Sequence, residues 1–552
     1  MTSSITGCKR THHIEVEQLE DADIVQHSLL LIKGRLQPPV CANAKQQQLK
    51  ATLTLRREQV GEEDTEEQDQ EQEQLTQLST GGEFKLLFDL TAGARGSQNR
   101  DIGAACQLQL QCCSGSRLLH FVYEPRRSDY RVQPLYLVCR ASDSDETTAE
   151  SAEQQRKRCA LIDLNLRLVQ CIYAHKLHAA GHANRTFTLN GACRVFRSQL
   201  SCAAARQSSE DELWQHFATE ILSSQAWGQQ LQLKFVAFVG CTRYDGAAVV
   251  ASGDYSYASI RRHLSAHAAL GGGGLALFGS AYFYAWPSTF TEIGDCIRST
   301  ERVDLTRLPD ESNYRRTYGG VYASTLGAVC HELGHCFDLG HTTDGVMGHG
   351  FDFLNRVLTV DQPTEHLPKR VLHKIQNPET TIAGASSTIG TRPRFTQLKL
   401  KQQAVGGGPS NQHLENYHAQ RRNDSFYFAH NCAVILAQHR WLQPNGLHSN
   451  DLSNVARIRL DTTRAEIISS VPLRLIELRC NSNSLVAHYE EFLEKDEPVH
   501  RFQLPASLWH LLASQRTHYS FVLSVNGDTK RLACDTPLLE TAAEAEVDNS
   551  GL

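Results

Sequence analysis

Between residues 329 and 352 the chain reads VCHELGHCFDLGHTTDGVMGHGFD. His331 and His335 stand four residues apart, Glu332 follows the first, and His341 lies six residues beyond the second. On a helix, residues i and i+4 share a face one turn apart, so His331 and His335 can turn imidazole nitrogens toward one ion. Glu332 then sits within reach of a water on that ion. Gly340 offers the backbone a place to leave the helix, after which His341 can supply a third nitrogen. Three neutral imidazoles leave the fourth corner of a tetrahedral Zn2+ open for water, which distinguishes a catalytic site from a closed structural one. The expected chemistry is hydrolysis. Zinc acidifies the water, and Glu332 takes its proton as general base and returns it to a leaving amine. An HExxH alone arises by chance in a chain with 25 histidines, so the specificity of the signal rests on His341.

The neighbours of this segment have more ordinary alternatives. Leu333 can pack inward, and Gly334 permits a close approach. His349 could be a substrate-pocket group or a fourth ligand, or more ordinarily a surface histidine or one supporting the ligands from behind. Asp344 and Asp352 could orient ligand histidines through their second ring nitrogens, or simply form turns. Cys330 and Cys336 flank the ligands; Cys336 could enter the metal sphere, and the ordinary reading of both is a small buried hydrophobe. Tyr318 and Tyr322 lie too early on the helix to polarise a substrate carbonyl. No oxyanion-stabilising residue stands out.

The segment resembles the metzincin signature, HExxHxxGxxH followed by a Met-turn. The resemblance implies that His331, His335 and His341 are zinc ligands and Glu332 the general base. It also implies that Met347, in Asp344-Gly345-Val346-Met347-Gly348, is the Met-turn residue forming an apolar floor beneath the metal. Apart from Met1, Met347 is the one methionine of the chain. One position departs: Asp338 stands where metzincins place a glycine in the left-handed conformation, which aspartate tolerates better than most residues. A closer similarity is to a little-characterised family of zinc metallopeptidases of fungi and animals. It is carried by GGGGLALFGSAYFYAW (271–286), HELGHCFDLGH and DGVMGHGFD. In metzincin-like enzymes a strand before the active-site helix lines the cleft and pairs with an extended peptide, a part that 275–278 would take by analogy. The glycine run 271–274 lacks the GxxxxGK[ST] form of a phosphate loop.

Elements must hold these residues in place. A helix is expected over 318–339, preceded by a helix from 159 to about 181, whose Leu161, Leu164, Leu168 and Ile172 recur at helical spacing. A second amphipathic helix is expected over 211–222 and a strand over 231–239, with one or two more strands over 275–286 and a helix over 431–442. Before residue 142 the runs 28–33, 84–90, 118–123 and 132–139 read as strands of an all-β region. After residue 449, strands at 457–460, 473–479, 519–525 and 530–533 suggest a small sandwich, with Asn526-Gly527 as a hairpin turn. The acidic, glutamine-rich run 62–82, the run 142–158 and the GGGPSN stretch in 402–412 read as loops or linkers.

The expected fold class is therefore α+β and multidomain. A metzincin-like α/β catalytic domain (158–445) is flanked by β-rich, sandwich-like amino-terminal (1–157) and carboxy-terminal (446–540) domains, with a disordered tail (541–552). Lys plus Arg number 55 against 61 Asp plus Glu, a net charge of −6 that argues against a general nucleic-acid binder. No apolar stretch follows Lys9 and Arg10, and the weakly charged run 268–287 is broken by glycines and ends in proline. Neither a secretory leader nor a membrane span is expected. The 17 cysteines follow no repeating spacing, which fits free thiols in a reducing compartment and a cytoplasmic location. The sequence thus points to a zinc-dependent peptidase with a peptide or protein substrate. The rivals are a zinc-retaining interaction protein and a zinc hydrolase of a non-peptide amide or ester.

Overall fold

The run VQPLYLVC, expected among the amino-terminal β strands, instead belongs to a parallel sheet. As Arg131–Arg140 it pairs in parallel with Leu233–Val239, Arg194–Ser201 and Thr188–Leu189. Its interior is buried almost without alternation, the pattern of a strand covered on both faces rather than of a half-exposed antiparallel one. The structure, a computed structural model, describes residues 10–39, 48–57, 69–93, 103–141, 150–183, 185–228, 230, 232–366, 422, 424–443, 455–493 and 497–534. The expected linker at 402–412 and the tail at 541–552 lie outside the described residues. The chain divides into two units, Met1–Phe337 with Asp344–Phe428, and Asp338–Thr343 with Ala429–Leu552.

In the first unit the parallel sheet continues from Leu233–Val239 to Leu275–Gly279 and ends on Ala269–Gly272. Only this last strand is antiparallel to its neighbour. Leu275–Gly279 is therefore enclosed between two partners, and Ala269–Gly272 occupies the edge of the sheet among the described residues. The role that analogy gave to 275–278 cannot fall there, because both of that strand's edges are taken. Beyond Gly279 the chain forms a short 3-10 turn, Phe283–Ala285, rather than a further strand.

Three helices pack on this sheet. The long helix Ala152–Ala179 begins earlier than its apolar stripe. Ser151 and Gln154 form a capping box, so the polar run AEQQRKR, expected to be linker, supplies the first exposed turns. Glu210–Ser223 opens the same way, with Ser209 and Glu212. The helix Tyr318–Cys336 is capped by Thr317, whose side chain accepts from the Gly320 amide, and it is buried almost throughout. Its rotation is fixed by buried hydrogen bonds. Tyr322 Oη donates to Asn165 Oδ1 at 2.7 Å, Tyr173 Oη to the Cys330 carbonyl at 2.7 Å, and Trp286 Nε1 to Thr325 Oγ1 at 2.8 Å. No helix among the described residues is long and apolar enough to cross a membrane.

The amino-terminal part of the same unit holds two sheets around one apolar core, antiparallel throughout except where Ile24–Val25 pairs in parallel with Gly115–Tyr123 at the end of the second. One contains His13–Glu17, Leu29–Gln37 and Glu83–Asp89; the other contains Gly115–Tyr123, Ala104–Cys112, Gln48–Arg56 and Gln70–Gln77. The last of these lies inside the run expected to be a solvated loop. Its glutamines give it a partner that apolar counting overlooks: Gln72 Nε2 donates to the Asp89 carbonyl at 2.6 Å and Gln74 Nε2 to the Leu87 carbonyl at 2.5 Å. Arg167 of the long helix donates to Asp89 Oδ1 at 2.5 Å and to Ser28 Oγ at 2.7 Å.

The second unit contains the expected carboxy-terminal strands, as Ile458–Asp461, Leu473–Cys480, His518–Ser524 and Thr529–Leu532, joined by Glu466–Ser469, Val486–Glu491 and Arg501–Gln503. Gly527 takes φ +82° in the Asn526-Gly527 turn, as such a hairpin requires. The helix His430–Gln438 groups with these strands, and its Asn431 donates to Glu477 Oε1 at 2.6 Å.

Candidate metal centre

His331 and His335 fall on one face of the Tyr318–Cys336 helix, with their Nε2 atoms 3.1 Å apart. The helix stops at Cys336, Phe337 caps it, and Asp338 turns the chain with φ +64°. Aspartate thus adopts the left-handed conformation expected of it. After this turn, one ring nitrogen of His341 joins those of His331 and His335, and the three donor atoms lie within 4.8 Å of one another. This is the sole such cluster of at least three potential ligands among the described residues.

Two of the three rings have their second nitrogen fixed. His331 Nδ1 meets the Val346 carbonyl at 2.7 Å, and His341 Nδ1 meets the Asn483 carbonyl. A backbone carbonyl accepts only from N–H, so each ring carries its proton on Nδ1 and presents the Nε2 lone pair. Carbonyls therefore take the part that the sequence offered to Asp344 and Asp352. Asp344 is exposed, and Asp352 is buried against Ser324 and Arg315, where burial pushes its carboxyl up to about 6. Burial also holds the His341 imidazole below its usual range, and the nearby Arg479 guanidinium adds to this.

Glu332 is 9% exposed, and its Oε2 accepts the Gly271 amide at 2.8 Å. Burial pushes its carboxyl up to about 8, opposed by that N–H, which favours the charged form. Gly271 comes very close to the helix backbone. A Cβ there would stand 1.9 Å from the Glu332 carbonyl oxygen, so glycine is required for the edge strand to lie on the helix. Gly272–Gly274 then turn the edge strand into Leu275–Gly279, and Lys234 Nζ donates to the Gly273 carbonyl at 2.8 Å.

Met347 is 1% exposed, in a turn whose Val346 amide donates to the Tyr427 carbonyl at 2.7 Å. The same residue's carbonyl receives His331, so the turn is held against the helix. His349 is buried beside the turn Gly350–Phe353. Cys330 and Cys336 are buried, and burial pushes the Cys330 thiol well up. Tyr322 is committed to Asn165 in the core, and Tyr318 packs its ring edge-on against Tyr284 at 5.0 Å. Sequence reasoning missed Asn483, Ser484 and Arg479, which hold the His341 segment. They lie some 140 residues along the chain, and no local signal marks them.

Residues 13–439 match a family model, Metallopep, described as "Putative peptidase family". In Saccharomyces cerevisiae the protein named "Putative zinc metalloproteinase YIL108W" is 37% identical over 94 residues, 16% of this chain and 14% of that protein. In Schizosaccharomyces pombe the "Putative zinc metalloproteinase C607.06c" is 29% identical over 110 residues, 19% of this chain and 18% of that protein. The matched stretches thus span under a fifth of either relative's length. Among solved structures, wild-type OgpA from Akkermansia muciniphila superposes with a TM-score of 0.36 at 9% identity, over 74% of this chain and 92% of that one, a likeness too loose to define a fold.

Proposed function

The chain belongs to the Metallopep family, and on that premise we propose that it is a zinc-dependent metallopeptidase of metzincin type acting on a peptide or protein substrate. The carrying observation is the cluster of His331, His335 and His341, three imidazole donors within 4.8 Å of one another. The donor set fits Zn2+: neutral nitrogen ligands, two of them with tautomer and ring orientation fixed by a carbonyl. A zinc ion bound there would supply Lewis acidity for the attacking water and the scissile carbonyl.

The remaining work falls to residues of the chain. With the positive charge of a bound zinc nearby to offset the burial that raises its pKa, Glu332 would accept the proton of the attacking water on its carboxylate and pass it to the departing amine nitrogen. The Gly271 amide fixes the rotamer of that carboxylate, and the burial of Glu332 keeps bulk water from competing for the proton. Met347 provides the apolar floor below the imidazoles, as its burial in the turn that binds His331 supports. Ala269–Gly272, rather than 275–278, is the strand that lines the substrate cleft, since it holds the edge of the sheet.

The test is digestion of a peptide library by zinc-loaded protein, with Glu332→Ala as control. Cleavage that disappears in the variant while its zinc content stays equimolar supports the reading. A wild-type protein that holds zinc and cleaves nothing overturns it.

A further inference from the structure

The segment that carries His341 is held by a group of residues in the carboxy-terminal strands, all in the second unit. Arg479, only 4% exposed, donates to the Asp338 carbonyl at 2.8 Å. Its guanidinium also pairs with Glu477 at 2.6 Å and lies 3.8 Å from the centre of the Phe521 ring. Glu477 is completely buried, and Asn431 donates to its other oxygen at 2.6 Å. The Asp338 carboxylate is gripped as well, by Thr529 Oγ1 at 2.9 Å and by His439 Nε2 at 3.6 Å.

The next residues are clamped by the turn that follows Leu473–Cys480. The His341 amide donates to the Ser484 carbonyl at 3.0 Å, and the Val486 amide donates to the His341 carbonyl at 2.9 Å, a short parallel bridge. The Asn483 carbonyl takes the ring Nδ1. Gly340 has no room for a side chain, because a Cβ would stand 2.8 Å from both Arg479 Nε and the Ser484 carbonyl oxygen. Backbone, carboxylate and ring of one short loop are thus all tied to the same strands.

A buried charge pair is an expensive way to secure a loop, since desolvation consumes most of what the pairing returns. Its geometry is well suited to another task. A planar guanidinium fixed by Glu477 on one side and Phe521 on another has little freedom, so the carbonyl it holds has little freedom either. Metal ligands that are oriented by fixed partners bind more tightly than the same ligands left to move.

We propose that Arg479, fixed by Glu477, is a positioning residue for His341, and that with the Asn481–Leu485 turn and Thr529 it sets metal affinity without touching the metal. The inference rests on the reading of the three histidines as a zinc site. It assigns to the carboxy-terminal β region a part in metal binding.

The experiment measures zinc affinity by chelator competition, and the visible spectrum of the cobalt-substituted protein, on the full chain. Wild type is compared with Arg479→Lys, Thr529→Val and His341→Ala. Arg479→Lys keeps the charge and loses the planar fork; it is expected to weaken zinc binding 10- to 100-fold. Its cobalt spectrum shifts toward that of His341→Ala. Thr529→Val removes one hydroxyl and is expected to weaken binding a few-fold with little change in the thermal stability of the zinc-free protein. Should Arg479→Lys fail to fold, Thr529→Val decides alone. Wild-type affinity and wild-type spectrum in the folded variants overturn the positioning role while leaving the zinc site standing. A wild-type chain that binds no zinc, or binds it equally well after His341→Ala, overturns the metal reading and this inference with it.

Discussion

The Gly271 amide donates to Glu332 Oε2 across 2.8 Å, while the Gly271 Cα approaches the Glu332 backbone so closely that a methyl group would stand 1.9 Å from its carbonyl oxygen. One glycine therefore does two things: it supplies the donor that aims the carboxylate and the clearance that lets the edge strand reach the helix. Gly271→Ala is expected to cost about 3 kcal/mol through overpacking against rigid backbone and to abolish peptide cleavage. Gly274→Ala, where a Cβ meets nothing within 4 Å, is the neutral control. Denaturant titration and peptidase assay of the two variants check this.

Metal removal is expected to lower the melting temperature, because a ligand that binds only the folded state stabilises it by mass action. Zinc is expected to restore the melting temperature at one equivalent per chain. The same titration on His335→Ala should show no restoration at equimolar zinc. Differential scanning fluorimetry with and without chelator provides the measurement.

Arg167 and Asp89 join the long helix to the amino-terminal sheets, with side chains 8% and 15% exposed. Removing one partner strands the other charge in a poorly hydrated place. Asp89→Ala is expected to destabilise the protein by about 3 kcal/mol, read as a lower midpoint in urea with little change in zinc affinity.

His27 is 3% exposed, and burial lowers its pKa from 6.5 to about 4. On the long helix, burial first and then the charges of Lys176, Lys85, Lys33 and His27 lower His175 to about 3. Both values are depressed on folding, so the neutral rings cost nothing above pH 6.5, where the unfolded chain also holds them neutral. As pH falls below 6.5 the unfolded state takes up protons that the folded state refuses, and stability falls until the folded values are reached. For His27 the full effect is about 3 kcal/mol. Melting temperature is expected to drop between pH 6.5 and 4, and His27→Gln should make that drop shallower. A pH series of thermal melts on both proteins decides it.

The sequence spoke most clearly where chemistry and periodicity coincide. The helix Tyr318–Cys336 and the gathering of His331, His335 and His341 were legible from a spacing of four and a glycine beyond it, and the left-handed turn at Asp338 followed from what aspartate tolerates. The carboxy-terminal hairpin followed from Asn526-Gly527. What stayed hidden depended on partners far along the chain. Gln70–Gln77 reads as solvated because it carries almost no apolar side chains; its backbone ladder with Gln48–Arg56 and its side-chain amides on the carbonyls of Leu87 and Asp89 hold it instead. Arg131–Arg140 reads like its antiparallel neighbours until its parallel partners are known. The edge position of Ala269–Gly272 is a property of strand order, which no local pattern encodes. The carbonyl of Asn483 on His341 is likewise invisible to spacing, since any residue can offer a carbonyl.

That last contact joins residues 142 positions apart, and it has a temporal side. During synthesis from the amino terminus, His331, His335 and His341 all emerge well before the turn that steadies the third of them. A nascent chain would own every imidazole it needs yet lack the brace for the last one. The brace would then arrive late in translation, after all three imidazoles have already emerged.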